Sequence, residues 1–336
     1  MTGLRTDGKI VCAGEVLLRL AAPGAELLLQ TPQLSACVGG AEANVAVALA
    51  QLGHAASVFT VLPDNTLGAA ARNELRRYGV DTSNISFGPG RLGLYFLSPG
   101  AGGRAAEIIY DRAHSAFAIA DHAITNWPGI LDGAGWLHVS GISAALGPKI
   151  AEAVVCAVTI ARSLGITVSF DCNYRAKLWQ DWSADAPAIL RRIVAQADVA
   201  FANERDIELI LGGAHAHARE AADLAFQAFP NLQLMATTSR VQHSVNHHAL
   251  SAAMHRREGS WEAPAIELAH VVDRIGAGDA FAAALIHALR SGYDNSRAIR
   301  FALGGACIKH TVPGDFGLAS VADIEAFLAA DFSVRR

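Results

Sequence analysis

The feature that most constrains this chain is a repeated alternation of short apolar runs with longer amphipathic ones. Strand-like runs fall at Lys9–Gly14, Ala56–Leu62, Trp136–Ser140, Thr167–Asp171, Val199–Asn203 and Gln233–Thr237. Helix-like runs fall between or after them, at 41–52, Asn65–Tyr78, Pro148–Leu164, Pro187–Gln196 and across Glu204–Phe229, with two more at Asn295–Lys309 and 321–330. Strands alternating with helices in this way predict parallel βαβ units, an α/β fold with helices on both faces of a mainly parallel sheet. Apolar residues make up 52% of the 336, against 17% charged, which is enough for a large core. No linker, repeat or low-complexity tract interrupts the chain, so 1–336 is expected to form a single domain.

The rhythm breaks twice. Val16–Leu20 and Glu26–Gln30 have the look of short strands separated by Ala-Pro-Gly. Leu92–Ser98 and Ala105–Tyr110 flank Pro-Gly-Ala-Gly-Gly, as a hairpin would. The two stretches, about 15–35 and 91–112, predict a small separate sheet.

Several partners are excluded by composition. A net charge of −4 gives no basis for holding nucleic acid or an anionic membrane surface. No apolar run approaches the roughly 18 residues a membrane span needs, and the first nine residues lack the apolar stretch of a signal peptide. Five cysteines without paired spacing fit a reducing compartment, so a cytoplasmic protein is expected. His215, His217, His243, His247 and His248 lack ligand spacing with cysteines or carboxylates and are expected to be surface residues.

The chemistry concentrates in Asp273-Arg-Ile-Gly-Ala-Gly-Asp-Ala-Phe, which turns through Gly276 and Gly278 into an alanine-rich helix. Glycines let a backbone approach a ligand closely. A first helical turn then offers unpaired N–H groups and the positive dipole end, an anion site suited to phosphate. Asp279 is a carboxylate where an anion would otherwise be welcome. It fits a base that takes a proton from an attacking hydroxyl while the amides of Gly276, Ala277 and Gly278 hold phosphoryl charge. The plainer alternative is an Asp that only complements the dipole. Earlier in the chain, Gly39-Gly40-Ala-Glu-Ala-Asn44 predicts a tight turn into a helix ended by Gly53. Asn44 sits in its first turn, where the amide could meet a polyol or simply cap the helix.

Asp273-x-x-Gly-Ala-Gly-Asp and Gly-Gly-Ala-x-x-Asn together resemble the two signatures of the ribokinase-like (PfkB) sugar kinases, and the resemblance extends over about residues 9 to 325. It implies a three-layer α/β/α core with a small β-sheet lid that closes over the sugar, and homo-oligomerisation through that lid. It also implies Asp279 as catalytic base, ATP and Mg²⁺ as cofactors, and room for a monovalent cation such as K⁺. Ile275 stands where the signature usually has Thr. The family's Asn-x-x-Glu segment, linked to Mg²⁺, appears as Asn203-Glu-Arg-Asp206, with Asp206 the metal-linked candidate and Glu204 an alternative. The family's Gly-rich nucleotide loop is replaced by Thr237-Thr-Ser-Arg-Val, leaving Ser239 and Arg240 as candidate phosphate contacts.

Three segments point to an acidic sugar. They place Tyr95 on one lid strand, Tyr110 and Arg112 at the end of the next, and Asn173 and Arg175 just beyond a core strand. Two arginines and two tyrosines can hold a carboxylate from several directions. Tyr-Asp-Arg together with Asp-x-Asn-x-Arg…Leu-Trp resembles the 2-keto-3-deoxygluconate kinases within the family. By that resemblance Gly40, Asn44, Tyr95, Tyr110, Arg112 and Arg175 bind substrate. A neutral ketose such as fructose is the alternative substrate, and a catalytically silent sugar sensor the alternative from another class. A dinucleotide oxidoreductase is disfavoured because no Gly-x-Gly-x-x-Gly follows the first strand.

Overall fold

The computed structural model describes residues 3–182, 185–213 and 217–330; His215 lies outside them. Its strands are β1 (Lys9–Ala13), β2 (Leu17–Ala21), β3 (Ser35–Gly39), β4 (Ala56–Pro63), β5 (Ile85–Gly88), β6 (Gly93–Ser98), β7 (Glu107–Asp111), β8 (Ala134–Ser140), β9 (Thr167–Asp171), β10 (Val199–Phe201), β11 (Leu234–Gln242), β12 (His248–Arg256) and β13 (Gly259–Leu268). The large sheet runs β13-β12-β11-β10-β9-β8-β1-β4-β5. Every neighbouring pair from β11 across to β5 is parallel.

Successive side chains of a strand point to opposite faces, and a parallel sheet covered on both sides therefore needs continuous apolar runs. Ile10, Cys12 and Trp136 are fully buried on one face, packed with the helices Ala41–Gln51, Ala277–Arg290 and Asn295–Lys309. Val11, Leu137 and Val139 are fully buried on the other, with the helices Pro148–Ser163, Ala186–Val194, Glu204–Leu211 and Ala218–Ala228. Each such side chain contributes about 1.5–3 kcal/mol. The first face is tight because small residues meet: a Cβ on Gly305 would come within 2.8 Å of the Ala284 methyl.

β12 and β13, to which the sequence pattern assigned nothing, extend the sheet antiparallel beyond β11. Their short stretches of alanine dilute the period-two pattern. The smaller sheet has the order β3-β2-β6-β7, with β2 and β6 parallel and the outer pairs antiparallel. One expected strand is corrected. Glu26–Gln30 forms turns, with Leu27 and Leu29 54% and 80% exposed and Leu29 at φ 62°, while β3 takes the place beside β2. No core face is available there to cover those leucines.

Candidate active site

A cavity of about 490 Å³ lies between the small sheet and the C-terminal ends of the core strands, the edge where open α/β sheets bind ligands. Gly276 caps the helix Ala277–Arg290 in the left-handed region at φ 79°. A Cβ there would sit 2.0 Å from the Asp315 carbonyl oxygen. Both the dihedral and the contact require glycine. Gly276→Ala should therefore destabilise the protein by at least about 1–3 kcal/mol. A chemical-denaturation midpoint equal to wild type would contradict this. Gly278 has nothing within 4 Å of where a side chain would be and opens onto the cleft.

Asp279, in the first turn, lines the same cavity as Gly40 and Asn44. Asn44 Nδ2 donates to Asp279 Oδ2 at 2.6 Å, while Asn44 Oδ1 is buried without a partner among the described residues. That amide therefore orients the carboxylate and keeps an acceptor free. The helix bearing Asn44 is itself pinned: Glu42, 1% exposed, accepts from the Ser140 amide and from the Ser140 and Ser143 hydroxyls. Gly40 at φ 135° lets the chain pass the Glu15 carbonyl, which a Cβ would approach to 2.3 Å.

Burial pushes the Asp279 carboxyl up to about 8, opposed by the Asn44 bond and assisted by the charges of Asp171, Asp315 and Glu42. Asp171 is likewise pushed up to about 7, by burial first and then by Asp206. Both groups bind a proton in the native state at pH values where the unfolded chain has lost it. Stability of the unliganded protein should therefore decline as pH rises from about 4 to about 8. Asp279→Asn should flatten that decline in a melting-temperature series across the window. A slope identical to wild type would argue that Asp279 titrates normally.

The basic residues fall in two groups. Arg175, Arg240 and Arg274 line the cavity. The Arg240 and Arg274 guanidinium groups have no hydrogen-bond or ion-pair partner among the described residues, and Arg175 donates only to the Tyr174 carbonyl at 3.1 Å. Desolvation, then the like charge of Arg274, lowers the pKa of Arg240. Arg112 is different: it is 6% exposed, its Nε and Nη2 donate to Glu15, and it does not line the cavity. The expected pairing of Arg112 with Arg175 around one ligand is thus not what the structure brings together. The buried guanidinium, just past β7, pairs with a carboxylate that follows β1.

Tyr95 and Tyr110 do line the cavity, their rings 5.9 Å apart. The Tyr95 hydroxyl donates to Asp315 Oδ2 at 2.6 Å. Burial raises the pKa of Asp315, with Arg19 and Tyr95 acting the other way. Arg19, from β2, bridges Asp273 at 2.6 Å and Asp315 at 3.1 Å. This fastens the small sheet to the two loops that carry those carboxylates.

A second cavity shares Asp171, Asn173, Arg175 and Gly278 with the first and adds Asn203 and Asp206. Asn173 is held at φ 35°, its amide donating to Asp171 Oδ1. Asn203 and Asp206 form a reciprocal capping box on the helix Glu204–Leu211. Burial raises the pKa of Asp206. Ser239 and Arg240 line a third cavity that again includes Asn203. The three adjoin through shared lining residues, Asn203 between the second and third and Arg240 between the first and third.

Asp171, Asp315 and Arg274 were missed from sequence. Arg274 sits inside the Asp273–Asp279 motif and carried a usable signal. Asp171 likewise opens the Asp-x-Asn-x-Arg segment, whereas the approach of Asp315 to that segment appears only in the fold. Among the histidines, His217 and His243 are exposed as expected, but His248 is fully buried. His243 and His247 also meet a carboxylate distant in sequence, with ligand atoms of the two histidines and Glu267 within 4.8 Å of one another.

Comparison with known proteins bears on this geometry. A 2-dehydro-3-deoxygalactonokinase of Haloferax volcanii is 32% identical over 95% of this chain and 96% of its own. A fructokinase of Oryza sativa is 30% identical over 82% of this chain and 81% of its own. The crystal structure of a 2-dehydro-3-deoxygluconokinase from Thermotoga maritima superposes with a TM-score of 0.90 at 39% identity, covering 96% of this chain and 99% of that one. Residues 7–317 match the pfkB family of carbohydrate kinases, and the chain belongs to that family.

Proposed function

We propose that this sugar kinase transfers the γ-phosphoryl group of ATP to the primary hydroxyl of 2-keto-3-deoxygluconate, giving 2-keto-3-deoxy-6-phosphogluconate and ADP. One observation carries the reading: the Asp279 carboxylate lines the same cavity as the guanidinium groups of Arg240 and Arg274, partnerless among the described residues, and the exposed Arg175. Such a cluster of cations is stabilised by an anionic ligand.

In this reading Asn44 Oδ1 accepts from a sugar hydroxyl and its Nδ2 holds Asp279 in place. Asp279 takes the proton of the attacking hydroxyl as its oxygen bonds to phosphorus and the bond to the ADP oxygen breaks. The amides of Gly276, Ala277 and Gly278 face the charge on the transferring group. Arg175 reads the sugar carboxylate beside Tyr110. Arg240 and Ser239 contact nucleotide phosphates along the cleft, with Asn203 at its wall. Arg112 holds Glu15, and with it the turn at Gly40. Closure of the small sheet excludes water from the transfer.

The acidic pair Asp171 and Asp206 fits Mg²⁺, a hard cation that takes oxygen ligands, because their mutual repulsion would be relieved by it. When bound, Mg²⁺ supplies charge neutralisation on the phosphates. Asp206→Asn should raise the Mg²⁺ concentration for half-maximal rate by about ten-fold or more. An unchanged Mg²⁺ titration would remove Asp206 from that role.

A homo-oligomer is proposed to form through the lid, whose strand β7 leaves Ile109 and Tyr110 47% and 40% exposed. Light scattering giving a monomer at micromolar concentration would reject it.

The engagement of Arg112 by Glu15 favours one second reading, a kinase of neutral ketoses. A coupled ADP-release screen over 2-keto-3-deoxygluconate, its galactonate epimer and fructose separates the two. At least about ten-fold higher kcat/KM for an acid is expected, since one charge-assisted bond contributes about 1.5–3 kcal/mol. A preference for fructose would establish the second reading.

A further inference from the structure

Behind the Gly276 turn lies a buried charge cluster with no direct part in the proton transfer. Lys309, the last residue of the helix Asn295–Lys309, is 1% exposed. Its ammonium donates to two main-chain carbonyls, those of Val312 at 2.9 Å and Asp273 at 3.4 Å. These carbonyls belong to the two loops that shape the anion site. Asp273 opens the glycine turn, and its carboxylate accepts from the Ile275 amide and the Gly314 amide, each at 3.0 Å. The loop after Lys309 carries Asp315, whose carbonyl closes over Gly276.

A monovalent cation supporting this turn would require a nest of carbonyl oxygens replacing its hydration shell. Here the carbonyls of Asp273 and Val312 already face an ammonium, a group comparable in charge and size to K⁺. Two buried cations are already in place. Arg19 bridges Asp273 and Asp315, and Lys309 lies close enough to both carboxylates to feel their charge. A further buried cation would leave uncompensated charge, which is costly in a low-dielectric interior. The residues present do not fit K⁺.

We infer that Lys309 is a tethered cation that takes the place of a monovalent ion beneath the anion-holding turn, so that the enzyme works without K⁺. Lys309 is thus a positioning residue, acting through the main chain of Asp273 and Val312. The inference rests on the proposed role of the Gly276–Asp279 turn, but its binding and melting readouts do not depend on the sugar phosphorylated.

The test compares wild type and Lys309→Ala in tetramethylammonium buffer and with added K⁺, NH₄⁺ or Li⁺. Wild-type kcat should change by less than about two-fold on adding about 100 mM K⁺, its melting temperature should not move, and thallium NMR should detect no bound Tl⁺. Lys309→Ala opens the carbonyl nest. Its kcat should fall by about ten-fold or more with little change in sugar KM, the pattern of lost positioning. K⁺ or NH₄⁺, but not Li⁺, should recover much of that loss and raise the melting temperature. Saturable several-fold activation of wild type by K⁺, or Tl⁺ bound to it, would overturn the inference whether or not the variant folds. A folded variant whose rate and melting temperature ignore K⁺ would overturn it as well.

Discussion

Replacing Asp279 by Asn should lower kcat by about 10²–10⁴-fold while leaving the fold and the sugar Kd nearly unchanged. The amide keeps the shape of the carboxylate and still faces Asn44, which holds it at 2.6 Å, but it cannot take a proton. The wild-type pH profile should carry the same signature. Burial sets the Asp279 carboxyl at about 8, so the charged, proton-accepting form grows as pH rises toward that value. The acidic limb of kcat/KM should accordingly lie far above the ordinary carboxylate range of about 4. Turnover of the variant within a few-fold of wild type, measured by coupled ADP release, would remove Asp279 from the base role. The expected trade-off is explicit: the same displaced carboxyl that makes a strong base weakens the unliganded fold as pH climbs.

Removing the Arg175 guanidinium should lower kcat/KM for 2-keto-3-deoxygluconate by about ten- to a hundred-fold, the equivalent of one charge-assisted bond. Fructose, without the carboxylate, should lose far less. Arg175→Lys should recover only part, because an ammonium lacks the planar fork. Arg112→Ala gives the contrast. Arg112 pairs with Glu15 behind the cavity, so its loss leaves a buried carboxylate uncompensated and should weaken both substrates alike and lower the melting temperature. Equal losses for acid and neutral sugar in Arg175→Ala would return Arg175 to the phosphates and the substrate to a neutral ketose.

The sequence by itself determined the layered architecture and the glycine turn that opens the helix Ala277–Arg290. Apolar runs such as Ile10–Cys12, and Trp136–Val139 broken only by His138, call for a sheet covered on both faces. The glycines at 40 and 276 mark turns in the sequence, although the carbonyls that leave no room for a Cβ, those of Glu15 and Asp315, come from distant segments. The family resemblance implied that Asn44, Tyr95, Tyr110, Arg175 and Asp279 share a site, and all five line one cavity.

What only the tertiary structure decided is pairing. Arg112 and Arg175 look alike in the chain, yet one is neutralised by Glu15 and the other faces open space, because a charge's partner depends on distances that span 97 residues of sequence. Lys309 reads as an ordinary basic residue at a helix end, and becomes an internal cation only where the Asp273 and Val312 carbonyls converge on it. Glu26–Gln30 had a strand's composition but found no face to cover its leucines, and the neighbouring segment took the edge of the lid. Periodicity and glycine placement are written residue by residue, whereas electrostatic partnership and the competition for a sheet edge are settled only when distant segments meet.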